Sequence, residues 1–154
     1  MDAVISMKRI EHWATRSFHE FLLARAARPF VWGENDCALF CADGIEAMTG
    51  VDIAAEFRGK YHDEASALAL IKTVTGGATI ADAAAYCAKG AGLAEWKWPL
   101  FAQRGDLVIV VDAGRETARS ISGLVHLSGR HVVAVGELGL KRLPIEAIER
   151  AWHV

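Results

Sequence analysis

The 154-residue sequence predicts a single α+β domain spanning residues 1–154, with N-terminal helices packed on a C-terminal antiparallel sheet. Two observations carry this. Apolar residues recur at helical spacing through the first part of the chain, and from Gly105 onward the period changes to that of strands. A third places the centre: the segment opening at Asn35-Asp36-Cys37 is apolar on nearly every side, as expected of a helix buried on most faces. A chain of this length can bury a real core, and the 53% hydrophobic content is accommodated there, since no apolar run approaches the roughly 18 residues that span a bilayer.

Taken in order, residues 7 to 26 carry Ile10, Trp13, Ala14, Ser17, Phe18, Phe21 and Leu22 at i, i+3, i+4, i+7 spacing, which predicts one amphipathic helix ended by Arg28-Pro29. The central helix follows, with Asn35 or Asp36 as N-cap and Gly50 as its stop. Residues 51 to 63, including Phe57-Arg58-Gly59-Lys60-Tyr61, read as a loop, and Arg58 is placed to anchor it to a carboxylate. Two shorter helices are expected near 64 to 74 and 79 to 89, on either side of Gly76-Gly77. A connector from Gly90 to Pro99 carries Trp96 and Trp98. Strands are expected at Asp106 to Val111, at Ser120 to Leu127 and His131 to Val135 across a Ser128-Gly129-Arg130 turn, and at Leu138 to Leu143. A helical turn near 145 to 150 leads to a last strand, Ala151 to Val154.

Charge and cysteine usage narrow the function. The net charge is −2 with both signs interspersed, so there is no basic stripe to meet a nucleic acid. Three cysteines, at 37, 41 and 87, suit a reducing compartment, and the N-terminus lacks a signal peptide's apolar stretch, so folding in a cytoplasm is expected. Cys37 and Cys41 lie one turn apart, but without a Cys-x-x-Cys pair or clustered histidines no metal is expected, and no cofactor either. A cysteine in the first turn of a helix sees unpaired backbone N–H groups and the positive end of the helix dipole, both of which favour the nucleophilic thiolate. A cysteine hydrolase needs that placement, an imidazole in reach and a third polar group to orient it. Cys37 also shares its stripe with Phe40 and Met48, which a core thiol would do equally.

The segment Phe30-Val31-Trp32-Gly33-Glu34-Asn35-Asp36-Cys37-Ala38-Leu39-Phe40 resembles the nucleophile segment of the NlpC-type cell-wall peptidases, the compact bacterial branch of the papain-like cysteine peptidases. Gln103-Arg104-Gly105-Asp106-Leu107-Val108 is similar to their Pro-Gly-Asp-Leu-Val strand opening. That resemblance implies a papain-like fold and cleavage of peptidoglycan stem-peptide amides by a helix-borne Cys, a His on the second strand and a polar residue on the third. A resemblance over more of the chain, Phe30 to Tyr61 and Gly139 to Trp152, is to small phage and prophage proteins whose genes sit in the tail-assembly region.

The catalytic histidine is where the chain departs from the peptidases. Aligning their His-Val-Gly-Ile-Tyr-x-Gly on Gly123 sets Ile121 in the histidine's place, with Val133 or its neighbour at the third position. A second register offers His131, and His126 is a further candidate on the opposite strand face from Ile121. The first register is the one expected here, and it leaves Cys37 as a vestigial nucleophile. His12, His19, His62 and His153 are expected at the surface or at element edges.

Three functions follow. The resemblance implies a tail-tip or tail-assembly component, a degenerate peptidase whose partners are other tail proteins, residing in the virion tail after assembly in a bacterial cytoplasm. Its aromatic anchors would come from the Gly90 to Phe101 connector and the exposed part of Phe57 to Tyr61. The alternative is an active peptidase using Cys37 with His131 or His126 on peptidoglycan. The third is a small cytoplasmic binding domain that shares only the fold.

Overall fold

The computed structural model describes residues 7–114 and 119–154. Four helices precede a five-stranded antiparallel sheet: α1 (Phe18–Arg25), α2 (Cys37–Thr49), α3 (Glu64–Thr75), α4 (Ile80–Gly90), then β1 (Leu107–Asp112), β2 (Arg119–Val125), β3 (His131–Gly136), β4 (Gly139–Pro144) and β5 (Ile148–Trp152). The order across the sheet is β4-β3-β2-β1-β5, so three hairpin neighbours are extended by a last strand that returns beside the first. The α+β architecture expected from the change of period is therefore the one observed. Among the described residues, no helix is long and apolar enough to cross a membrane.

Local chemistry sets the helix ends. Asp36 caps α2, accepting the Leu39 N–H at 2.9 Å, and Gly50 closes it at φ 78°. Capping boxes open α3 (Asp63 with Ser66) and α4 (Thr79 with Asp82), with Gly76 closing α3. The expected single helix over residues 7 to 26 is a correction: His12 is left-handed at φ 59°, Trp13–Ser17 is a π-helical turn, and α1 begins at Phe18. The cause is non-local, because Arg9 is pulled towards the C-terminus (Nε to Val154 O, 2.9 Å) and Ile10 N–H bonds Met48 O at 2.8 Å. The last strand also differs. The helical turn is only Ile145–Ala147, and β5 starts at Ile148 because pairing with β1 resumes past an irregularity at Ile109/Val110.

The sheet is buried on both faces. Towards the helices, Leu107, Ile109, Leu124, Val133 and Val135 pack with Phe18, Phe40, Ile45 and Met48. α2 approaches β2 and α1 so closely that a Cβ at Gly44 would lie 2.5 Å from Leu124 Cδ1 and 2.9 Å from Phe21 Cε1. On the other face Val108, Val110, Ile121, Val132, Ala134 and Ile148 form a second cluster, covered by Trp96, Ala102, Ile145 and Ala147. Two-sided burial explains why β1 reads as an unbroken apolar run.

Candidate functional site around Cys37

The turn before Cys37 is built by two adjacent buried residues. Asn35 Nδ2 donates to Arg28 O (3.2 Å) and Pro29 O (2.9 Å), while its Oδ1 accepts from Arg25 Nη1 at 3.1 Å. Asp36 accepts from Leu39 N–H, from Gly33 N–H at 2.9 Å and from the Tyr61 hydroxyl at 2.5 Å. Burial, then the Asp36 charge, pushes the Tyr61 phenol up, so Tyr61 stays a donor. Gly33 is required: at φ +77° it is left-handed, and a Cβ there would lie 2.4 Å from the Tyr61 carbonyl oxygen. The Trp-Gly-x-x-Asp-Cys spacing is thus a loop-and-cap device. Arg58 anchors the following loop as the sequence suggested, with Nε 2.9 Å from Asp52 Oδ2 and Nη2 2.8 Å from Asp43 Oδ1.

Cys37 is the first residue of α2 and is half-buried. It packs against the cluster that contains Ile121 and lines a cavity of about 650 Å³. The cavity walls come from α2, the 53–61 loop, α3, α4 and the sheet, and they are mostly apolar: Leu39, Ile53, Phe57, Ile71, Ala84 and Ile109. Cys41 and Cys87 also line it. Burial, then the proximity of Cys37, raises the Cys41 thiol well above its ordinary value, and burial pushes Cys87 up to about 11. Both are therefore neutral near pH 7.

From β2, Ser122 joins this cavity at 2% exposure. It pairs with Ile109 of β1, and it alternates with Gly123, whose Cβ would point at Val132 and Ala134 of the second cluster. Ser122 thus occupies the helix-facing side of β2, while Ile121 belongs to the second cluster. The Cys41 thiol is the polar neighbour of Ser122, but Ser122 Oγ completes no hydrogen bond of acceptable geometry.

All six histidines are among the described residues, and none lines the cavity. His126 and His131 stack at 4.2 Å beside the β2–β3 turn, where both approach the Ser128 hydroxyl (3.0 and 3.4 Å). Burial lowers both imidazole pKa values, with Arg142 adding to the effect in each and His126 in His131. Val133, at the expected third position, is buried in the helix-side core opposite Leu124. His12, His19, His62 and His153 are exposed. Among the described residues, no three His, Cys, Asp or Glu side chains gather as metal ligands.

Two features escaped sequence reasoning. Asp106 is wholly buried, and it accepts from Arg9 Nη2 (3.0 Å) and Val154 N–H (3.0 Å) at one oxygen and from Trp96 Nε1 (2.8 Å) and Gln103 N–H (2.8 Å) at the other. The Gly-Asp-Leu-Val match carried that residue, but its partners lie far off in sequence. The role of Ser122 was equally hidden, because it depends on strand register. The expected aromatic surface near Phe57 is a correction: Phe57 is buried against Ile71 and Ala83, and Tyr61 is tied to Asp36.

Residues 8–154 match the family described as a domain of unknown function (DUF6950). The chain belongs to that family. No curated protein and no solved structure matches it. The DUF6950 match covers both the capped Cys37 helix and the sheet, so cavity and frame belong to one family unit.

Proposed function

We propose that this chain is a tail-tip or tail-assembly component of a phage, prophage or gene-transfer particle, built on a papain-like fold of NlpC type that has lost its catalytic base. It assembles in the bacterial cytoplasm and ends in the virion tail, held by another tail protein. The observation that carries the reading is the cavity beside Cys37: its lining is mostly apolar, with thiols, hydroxyls and a few charged groups, and no imidazole lines it. Acyl transfer by a cysteine uses an imidazole as general base, and none of the residues lining the cavity supplies one. The histidines stacked at the β2–β3 turn serve the hairpin instead.

The docking anchors are Trp98, Leu100 and Phe101, which are 56%, 63% and 57% exposed on the connector and the short 3-10 turn Pro99–Phe101. A contiguous exposed apolar patch marks an interaction site, and Trp is enriched among the side chains that anchor one. Particles carrying Trp98→Ala, Leu100→Ala and Phe101→Ala together test this. The isolated domain should melt within a few degrees of the wild type, since these side chains lie outside the core, yet the chain should be lost from purified particles. Normal incorporation would count against the patch. Cys37-dependent cleavage of stem peptides by the purified chain would replace the reading with an active peptidase.

A further inference from the structure

We propose that the cavity beside Cys37 is a binding site for a neutral, largely apolar small molecule that carries one hydrogen-bonding group, received by Ser122. Protein interiors are close-packed, and voids beyond the size of a water are few. A cavity of about 650 Å³ walled by apolar side chains falls within the volumes that enclose small ligands.

Charge satisfaction defines the ligand class. Every charged group among the lining residues is already engaged within the protein. Asp36 accepts from Gly33, Leu39 and Tyr61. Arg119 pairs with Glu64 at 3.0 Å, Arg150 with Glu95 at 2.7 Å, and Glu149 accepts from Ser120. Cys41 and Cys87 are held as neutral thiols by burial. Both lining arginines are already paired with carboxylates, so an anionic head group would have to displace one of those partners. Ser122 Oγ differs: it is buried and lines the cavity, and its polar neighbour is the weakly hydrogen-bonding Cys41 thiol, with which it completes no hydrogen bond of good geometry. A buried hydroxyl without a partner is costly, and a ligand hydroxyl, carbonyl or N–H placed there supplies what the fold does not. This reading is independent of the tail assignment, since it rests on cavity chemistry alone.

The test uses the full chain with N-phenyl-1-naphthylamine as the fluorescent probe and 1-decanol or decanoate as competitors. The probe should bind saturably and be displaced by 1-decanol at concentrations at least tenfold below those needed of decanoate at pH 8. Ser122→Ala should weaken 1-decanol by roughly fivefold, the effect of one net hydrogen bond. Ala67→Phe, a substitution on the half-buried cavity side of α3, should abolish probe binding while leaving cooperative thermal unfolding. Bound 1-decanol should also slow alkylation of Cys37, read by mass spectrometry. The proposal is overturned if the probe does not bind, if decanoate competes as well as 1-decanol, or if Ser122→Ala leaves 1-decanol affinity unchanged. Should Ala67→Phe fail to fold, Cys37 protection in the wild type and its weakening in Ser122→Ala decide the matter.

Discussion

Asp106 gathers the N-terminal segment, the connector and the C-terminus onto one carboxylate. Burial pushes the Arg9 guanidinium pKa down, and Asp106 is the opposing charge that keeps the ion tolerable there. Replacing Asp106 by Ala removes the counter-charge of that cation and leaves Arg9 Nη2, the Trp96 indole N–H and two backbone N–H groups without this acceptor. Asp106→Ala should therefore cost about 3–5 kcal/mol, the range for breaking a buried pair, measured by urea unfolding. A loss under 1 kcal/mol would mean that water replaces the carboxylate at little expense. Cys37, by contrast, sits at the N-terminus of α2 and at the edge of an apolar cluster, where Ser is close to it in size and shape.

At the scale of elements, the β2–β3 hairpin carries a pH response. His126 and His131 stack beside its turn, and His131 Nε2 is buried with no hydrogen-bond partner. Both pKa values lie below the ordinary histidine value, so the neutral forms are favoured in the folded state. Stability from this pair is thus fully present above about pH 6.5 and is lost as pH falls through the folded-state values. Arg142 contributes to lowering both. Arg142→Gln should raise both pKa values in an NMR titration and reduce the loss of stability between pH 7 and pH 5. Unchanged titration of both rings would contradict the account.

These elements also show what the sequence could and could not disclose. The ends of α3 and α4 were legible to within a residue because Asp63, Ser66, Thr79 and Asp82 act on their own first turns. The Asp36 cap and the Gly50 stop were legible for the same reason. The first helix was not, since Arg9 is held by Asp106 at a separation of 97 residues. Strand faces were harder still: Ile121 falls in the cluster against which Cys37 packs, whereas its neighbour Ser122 meets Cys41 on the helix-facing side, a placement fixed only by the register with β1. One residue of slip exchanges an aliphatic for a hydroxyl.

For the whole molecule, the Cys37 helix, the cavity and the exposed Trp98–Phe101 patch belong to one α+β unit. The central claim is that this unit acts through its surfaces and its cavity rather than through nucleophilic attack by Cys37. Of the residues that carry the resemblance to peptidases, Gly33, Asp36 and Asp106 each have a structural task in the fold. The most direct measurement is DNA delivery by particles carrying Cys37→Ser, normalised to the amount of this chain in each preparation. The account predicts incorporation and delivery equal to wild type; particles that incorporate the variant normally but fail to deliver DNA would contradict it.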